Sequence, residues 1–168
     1  MLFESFKLAN ITLKNRLVRS ATYEKRADVD GFVTDSLIEF YKHLSNGGVG
    51  LIITGNVLVH VSGRSAPNML CIHTDNYIKG LKRLTEAIHA LGSKIFIQLV
   101  HGGRQCSPYL LGGQPPIAPS AVYDPSTKIT PREMTNEEIW EIIESFGKAG
   151  RRALEAGFDG IQLHGAHG

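Results

Sequence analysis

Cysteine is scarce in this sequence, charge of either sign is not in excess, and long apolar runs are absent. Cys71 and Cys106 are the only two cysteines in 168 residues, they lie far apart, and neither belongs to a Cys-x-x-Cys pair. The expected state is two free thiols in a reducing cytoplasm. The formal net charge is +2, so nothing in the balance points to nucleic acid or to a membrane surface. No apolar stretch is long enough to span a bilayer, and the opening residues, Met1-Leu-Phe-Glu-Ser-Phe-Lys, lack the apolar core of a signal peptide. The fractions that are present, 42% hydrophobic and 20% charged, are those of an ordinary globular domain with enough length for a real core.

The hydrophobic pattern divides into repeated units. Phe3, Phe6 and Leu8, then Ile11 and Leu13, flank Ala9-Asn10 and predict a small hairpin. Leu17-Val18 predicts a first core strand running into Ser20-Ala21-Thr22. Thr34-Asp35 is a helix cap, followed by Leu37, Phe40, Tyr41 and Leu44 at helical spacing and stopped at Asn46-Gly47-Gly48. Residues 49–54 are a near-continuous apolar run, expected as a strand buried on both faces and closed by Gly55-Asn56. A loop is expected over 57–73. Thr74 or Asp75 then caps a helix whose stripe is Ile78, Leu81, Leu84, Ile88 and Leu91, stopped by Gly92. Residues 94–99 form the next strand, followed by a long Pro- and Gly-rich stretch to about Met134, a length usually associated with function. Thr135-Asn-Glu-Glu138 is a capping box, and the helix behind it is expected to bury Ile139, Ile142, Ile143, Phe146 and Leu154. Gly157 ends that helix ahead of a short strand, 161–163, expected to be buried.

Helices that alternate with apolar strands imply right-handed crossovers and a parallel sheet. All strand ends then share one edge, and that edge collects Ser20-Ala21-Thr22, Asn56, Gln98 with His101, and the histidine pair His164 and His167. Two α/β architectures fit, an open doubly wound sheet and part of a (β/α)8 barrel. No GxGxxG follows the first strand and no GxxxxGK[ST] loop occurs, which weighs against a nucleotide-binding open sheet. A complete barrel takes roughly 250 residues. The expectation is therefore the N-terminal half of a (β/α)8 TIM barrel, about four parallel strands behind an N-terminal β-hairpin, with residues 1–168 forming a single incomplete domain.

Five segments carry a family resemblance: Leu13-Lys-Asn-Arg16 leading to Ser20-Ala-Thr22; Gly48-Val-Gly-Leu-Ile-Ile-Thr-Gly55; Ile97-Gln-Leu-Val-His-Gly-Gly-Arg104; Ala118-Pro-Ser-Ala121; and Ala156-Gly-Phe-Asp-Gly160 through His164-Gly-Ala-His-Gly168. In this order and spacing the chain resembles the Old Yellow Enzyme family of FMN-dependent NAD(P)H oxidoreductases over nearly its whole length. The resemblance implies an ene-reductase type of reaction: NADH or NADPH as reductant, FMN as cofactor, and reduction of a carbonyl-activated C=C bond in a small unsaturated substrate. It implies flavin contacts from Ser20, Ala21 and Thr22, largely through backbone, and from Asn56 and Gln98. It also implies that His164 and His167 hydrogen-bond the substrate carbonyl, where negative charge builds up during hydride transfer. This chain has Ala21 and Thr22 where many members have Pro and Met, Tyr23 where Cys or Thr is frequent, and Asn56 where a small residue is usual. A tyrosine proton donor, the flavin phosphate loops and, in some branches, an iron–sulfur cluster belong to segments after residue 168, so the implied partner is the C-terminal half of the barrel.

Two other classes of function remain open to the sequence. One is a non-catalytic half barrel that self-associates as a homo-oligomer or pairs with a partner chain. The other is a metal-dependent hydrolase using His101, His164 and His167, for which a compelling further ligand is lacking.

Overall fold

The computed structural model describes residues 1–166. A two-stranded antiparallel hairpin, β1 (Phe6–Leu8) and β2 (Ile11–Leu13), precedes the main sheet. Its turn places Ala9 at positive φ. The main sheet then builds in the order β3 (Val18–Arg19), β4 (Leu51–Leu58), β6 (Lys94–Val100), β9 (Gly160–Leu163), every pair parallel. Two short strands, β7 (Ile117–Ala118) and β8 (Arg132–Glu133), pair in parallel outside this sheet, and a fifth strand of the main sheet, β5 (Leu70–Cys71), pairs in parallel with the end of β4. It lies within the segment expected to be loop, because two residues are too few to show a period.

Helices α1 (Asp35–Asn46), α2 (Ile78–His89) and α3 (Asn136–Glu155) form the crossovers. Each stops on the glycine that the sequence offers, with Gly48, Gly92 and Gly157 at positive φ. The Thr34 hydroxyl caps α1 by accepting from the Leu37 amide at 3.1 Å. At α3 the capping box forms in full, with the Glu138 carboxylate accepting from the Thr135 amide at 2.9 Å and the Thr135 hydroxyl accepting from the Glu138 amide. Arg132 grips the same carboxylate at 2.6 and 2.9 Å, which holds the Glu138 pKa down at about 2. Thr135→Ala should cost about 1 kcal/mol. A urea midpoint identical to that of wild type would show that the cap is not holding the helix.

One face of the sheet packs on the helices. Ile52, Val57, Ile95, Ile97 and Leu99 meet Leu37, Tyr41, Leu81, Leu84, Ile88, Ala149 and Ala153 in a continuous buried core. The helix-3 expectation is corrected in part: Ile143 and Leu154 are 51% and 75% exposed, and the residues of α3 that are buried are the small Ala149 and Ala153. Strand β9 is likewise an edge strand rather than a buried one, with Leu163 68% exposed. These side chains lie where a further strand and helix of a barrel would pack, and an amphipathic pattern does not report which neighbour is present.

The opposite face carries side chains in registered layers, as the interior of a parallel barrel does. Ile53, Phe96 and Gly160 form one layer; Asn56, Gln98 and Gln162 form the next. Gly160 is needed in the lower layer because a Cβ there would fall 2.5 Å from the Phe96 ring. Among the described residues no helix is long and apolar enough to cross a membrane.

Candidate functional site

Strand β4 does not end at Gly55-Asn56 as expected but continues to Leu58 through a bulge. Ile53 pairs with Phe96, yet Asn56, three residues on, pairs with Gln98, only two residues on. The extra residue changes the parity of the strand. Regular alternation from Ile53 would turn Asn56 toward the helices; the bulge instead lays it beside Gln98 on the opposite face.

The amides that the bulge displaces find other partners. The Gln98 N–H donates to Thr54 Oγ1 at 3.1 Å. The Gly55 N–H donates to Glu24 Oε1 and to the Tyr41 hydroxyl, each at 3.1 Å. Glu24 also accepts a short hydrogen bond from Tyr41 and pairs with Arg19 at 3.0 Å. Burial, with the neighbouring Glu24 charge, raises the Tyr41 pKa well above the usual phenol value, so it remains a donor. This cluster ties the segment after β3 to the bulge of β4, and with it residues 20–23 to Asn56.

Above the layer of Asn56, Gln98 and Gln162, a cleft of about 170 Å³ is lined by Ala21, Thr22, Tyr23, Asn56, Gln98 and His164. Four different strand ends supply these residues. The structure thus brings together Ala21, Thr22, Asn56, Gln98 and His164 of the residues picked out from the sequence. Ser20 lies on the same segment but does not line the cleft, and His167 lies outside the described residues. The His164 N–H donates to the Leu99 carbonyl at 3.0 Å, which carries the β6–β9 pairing one residue past β9 and fixes the histidine at the rim.

Inside the cleft the polar atoms are partly committed. Gln98 Nε2 donates to Gln162 Oε1 at 2.7 Å. Asn56 Oδ1 is shielded from water and has no hydrogen-bond partner among the described residues, an arrangement that costs free energy until a donor arrives. Tyr23 closes one side, its hydroxyl donating a short hydrogen bond to the Pro67 carbonyl. Sequence reasoning passed over Gln162 and Glu24. Alternation along β9 from His164 gives the first, since the two are two residues apart; no local pattern gives the second.

His101, considered as a metal ligand, has both ring nitrogens engaged elsewhere. Nδ1 accepts from the Gly103 N–H at 3.1 Å and Nε2 lies 2.9 Å from Ser62 Oγ, which in turn meets His60 Nδ1 at 2.7 Å. Among the described residues no three His, Cys, Asp or Glu side chains gather as a metal site would require. A larger cavity, about 470 Å³, lies between His60, Leu111, Ile117, Arg132 and Ile142. It contains none of the strand-end residues, so the smaller cleft is the better candidate for chemistry.

A profile of the NADH:flavin oxidoreductase / NADH oxidase family matches residues 1–168. The chain is 43% identical over 168 residues to an NADH oxidase of Thermoanaerobacter brockii, covering 99% of this chain and 26% of that protein. It is 44% identical to an NADPH dehydrogenase of Halalkalibacterium halodurans, covering 99% of this chain and 48% of that one. The structure superposes on a crystal structure of Old Yellow Enzyme from Pichia sp. with a TM-score of 0.92 at 33% identity, over 99% of this chain and 46% of the other. The chain therefore spans between about a quarter and a half of the length of these relatives.

Proposed function

The chain belongs to the NADH:flavin oxidoreductase / NADH oxidase family, matching the N-terminal half of Old Yellow Enzyme barrels, and from that membership we propose that it forms part of an FMN-dependent NAD(P)H oxidoreductase that reduces C=C bonds activated by a carbonyl. The observation that carries the proposal is the cleft itself: Gln98 and His164, on neighbouring strands, open onto one space with residues 21–23 as its wall. On this reading residues 1–168 are half of a single barrel domain, and the C-terminal half is the partner that completes it.

The residues present fit the pyrimidine side of a flavin. The buried Asn56 oxygen seeks a donor, and Gln98 offers a carboxamide that both donates and accepts, as a ring edge of alternating N–H and C=O groups requires. The cleft volume, about 170 Å³, is less than the roughly 300–1,000 Å³ of a complete small-molecule site, in keeping with one wall of the site. FMN, when bound, supplies the two-electron carrier between NAD(P)H and the acceptor. Ala21 and Thr22, joined on family grounds by Ser20, would line its ring through the backbone, and Asn56 and Gln98 would hold its polar edge. His164, joined on family grounds by His167, hydrogen-bonds the substrate carbonyl oxygen; a donor aimed where negative charge develops lowers the barrier more than one aimed at the ground state. The two buried free thiols suit a cytoplasmic setting, with burial pushing the Cys106 pKa up to about 12.

In protein completed by the C-terminal half of the barrel, titration with FMN, followed by flavin fluorescence, and then with a phenol that mimics the enone oxygen tests the reading. His164→Ala should weaken the phenol about tenfold and leave FMN within about twofold, the worth of one hydrogen bond to a charge-bearing ligand. Equal losses for both would remove His164 from its assigned place.

A second reading, a half barrel that self-associates, is favoured by the exposed apolar side chains at both ends of the sheet, Phe3 and Val18 on one side and Ile143 and Leu163 on the other. Sedimentation distinguishes it: an oligomer that does not take up FMN would support it.

A further inference from the structure

Gln98 stands between two acceptors on its own face of the sheet. Asn56 lies beside it on β4 and Gln162 beside it on β9, both in register. A carboxamide can turn either end toward either neighbour, and the two orientations present opposite chemistry to the cleft. The structure shows one of them, with Gln98 Nε2 donating to Gln162 Oε1 at 2.7 Å and the Asn56 oxygen left without a donor. Were the Gln98 amide reversed, its NH2 would turn toward the Asn56 side and its oxygen would oppose that of Gln162.

We propose that Gln162 is a positioning residue: by holding the Gln98 amide, it leaves the Asn56 and Gln98 oxygens as acceptors for a ring N–H, and one Gln98 hydrogen as donor to a ring carbonyl. The inference rests on the flavin reading for its ligand, and on hydrogen-bond geometry for the orientation itself. Its basis in the fold is the strand register. Gln162 is two residues before His164 on β9, so it faces the same way one layer lower, and Gly160 below it leaves the Phe96 ring room to support the layer. Gln162 acts on the ligand through Gln98.

The proposal is tested on the chain completed by the C-terminal half of the barrel, with Gln162→Leu and Gln162→Glu. Leucine removes the acceptor; glutamate keeps an acceptor and adds a negative charge. In flavin-free protein, the two side-chain amide protons of Gln98 should give separate, exchange-protected NMR signals in wild type and in Q162E, and lose that protection in Q162L. FMN affinity should fall about tenfold in Q162L and stay within about threefold of wild type in Q162E. The reduction potential of bound FMN should move to more negative values in Q162E, a change that loss of packing would not produce. An unprotected Gln98 amide in wild type, or equal FMN affinity in wild type and Q162L, overturns the positioning role. Failure of wild type to bind FMN while its Gln98 amide is protected instead overturns the flavin reading, and the ligand half of this inference with it.

Discussion

Glu24→Ala should destabilise the fold by about 3–5 kcal/mol, the cost of removing one partner from a buried ion pair. Glu24 and Arg19 side chains are only 7% and 15% exposed. Losing the carboxylate leaves the Tyr41 hydroxyl without its acceptor and removes one acceptor each from the Arg19 guanidinium, which keeps the Ile53 carbonyl, and the Gly55 amide, which keeps the Tyr41 oxygen. The consequence goes beyond stability, because the Gly55 amide is the group that the bulge of β4 turns out of the ladder. Without Glu24 the regular register gains an advantage, and a shift of one residue would turn Asn56 from the cleft to the helix side. Glu24→Gln, which retains a neutral acceptor, should lose about half as much. Guanidinium unfolding gives the energies, and hydrogen exchange at Gly55 and Gln98 reports the bulge. An alanine variant within about 1 kcal/mol of wild type, with both amides still protected, would mean that the bulge holds itself.

Stability should also fall as pH drops from about 6.5 to about 4, and His101 should account for most of the fall. Burial, and then the nearby His60, lower the His101 pKa from 6.5 to about 4. Geometry works in the same direction, since the Gly103 N–H points at Nδ1 and a proton there would oppose it. In this window the unfolded chain binds a proton at His101 that the native state refuses, so stability rises with pH and is complete above about 6.5. At about 1.4 kcal/mol per pKa unit the effect is on the order of 3 kcal/mol. His73, also lowered chiefly by burial, adds to the same slope. His101→Gln should flatten most of the pH dependence of the urea midpoint, whatever its stability at pH 8; a wild-type midpoint constant between pH 7 and pH 4.5 would refute the assignment. A separate loss appears only in stronger acid. Burial alone would raise the Asp159 pKa, but hydrogen bonds from Lys94, the Ile95 amide and His89 outweigh it and lower it. Its contribution is therefore present above the ordinary carboxylate pKa and vanishes as pH falls below it.

Much of the architecture was legible in the sequence because it is local. Helix caps at Thr34 and Thr135, glycine stops after each helix, and apolar strands between them are set by short-range hydrogen bonding and by burial periodicity. Those signals were enough for a parallel sheet with its strand ends on one edge, and hence for a cleft bearing Thr22, Gln98 and His164. Exposure of Ile143, Leu154 and Leu163 was not legible, since a pattern marks a face as apolar without naming what covers it.

The amino-acid sequence by itself determined the alternation of helix and strand and the hairpin ahead of it, because each depends on neighbours a few positions away. Tertiary structure decided which way the side chains of the central layer face. Asn56 meets Gln98 only through a bulge whose displaced amide is held by Glu24, 31 residues earlier, and Gln98 meets Gln162, 64 residues later, only through strand register. Contacts between residues so far apart in the chain leave no periodic trace in it.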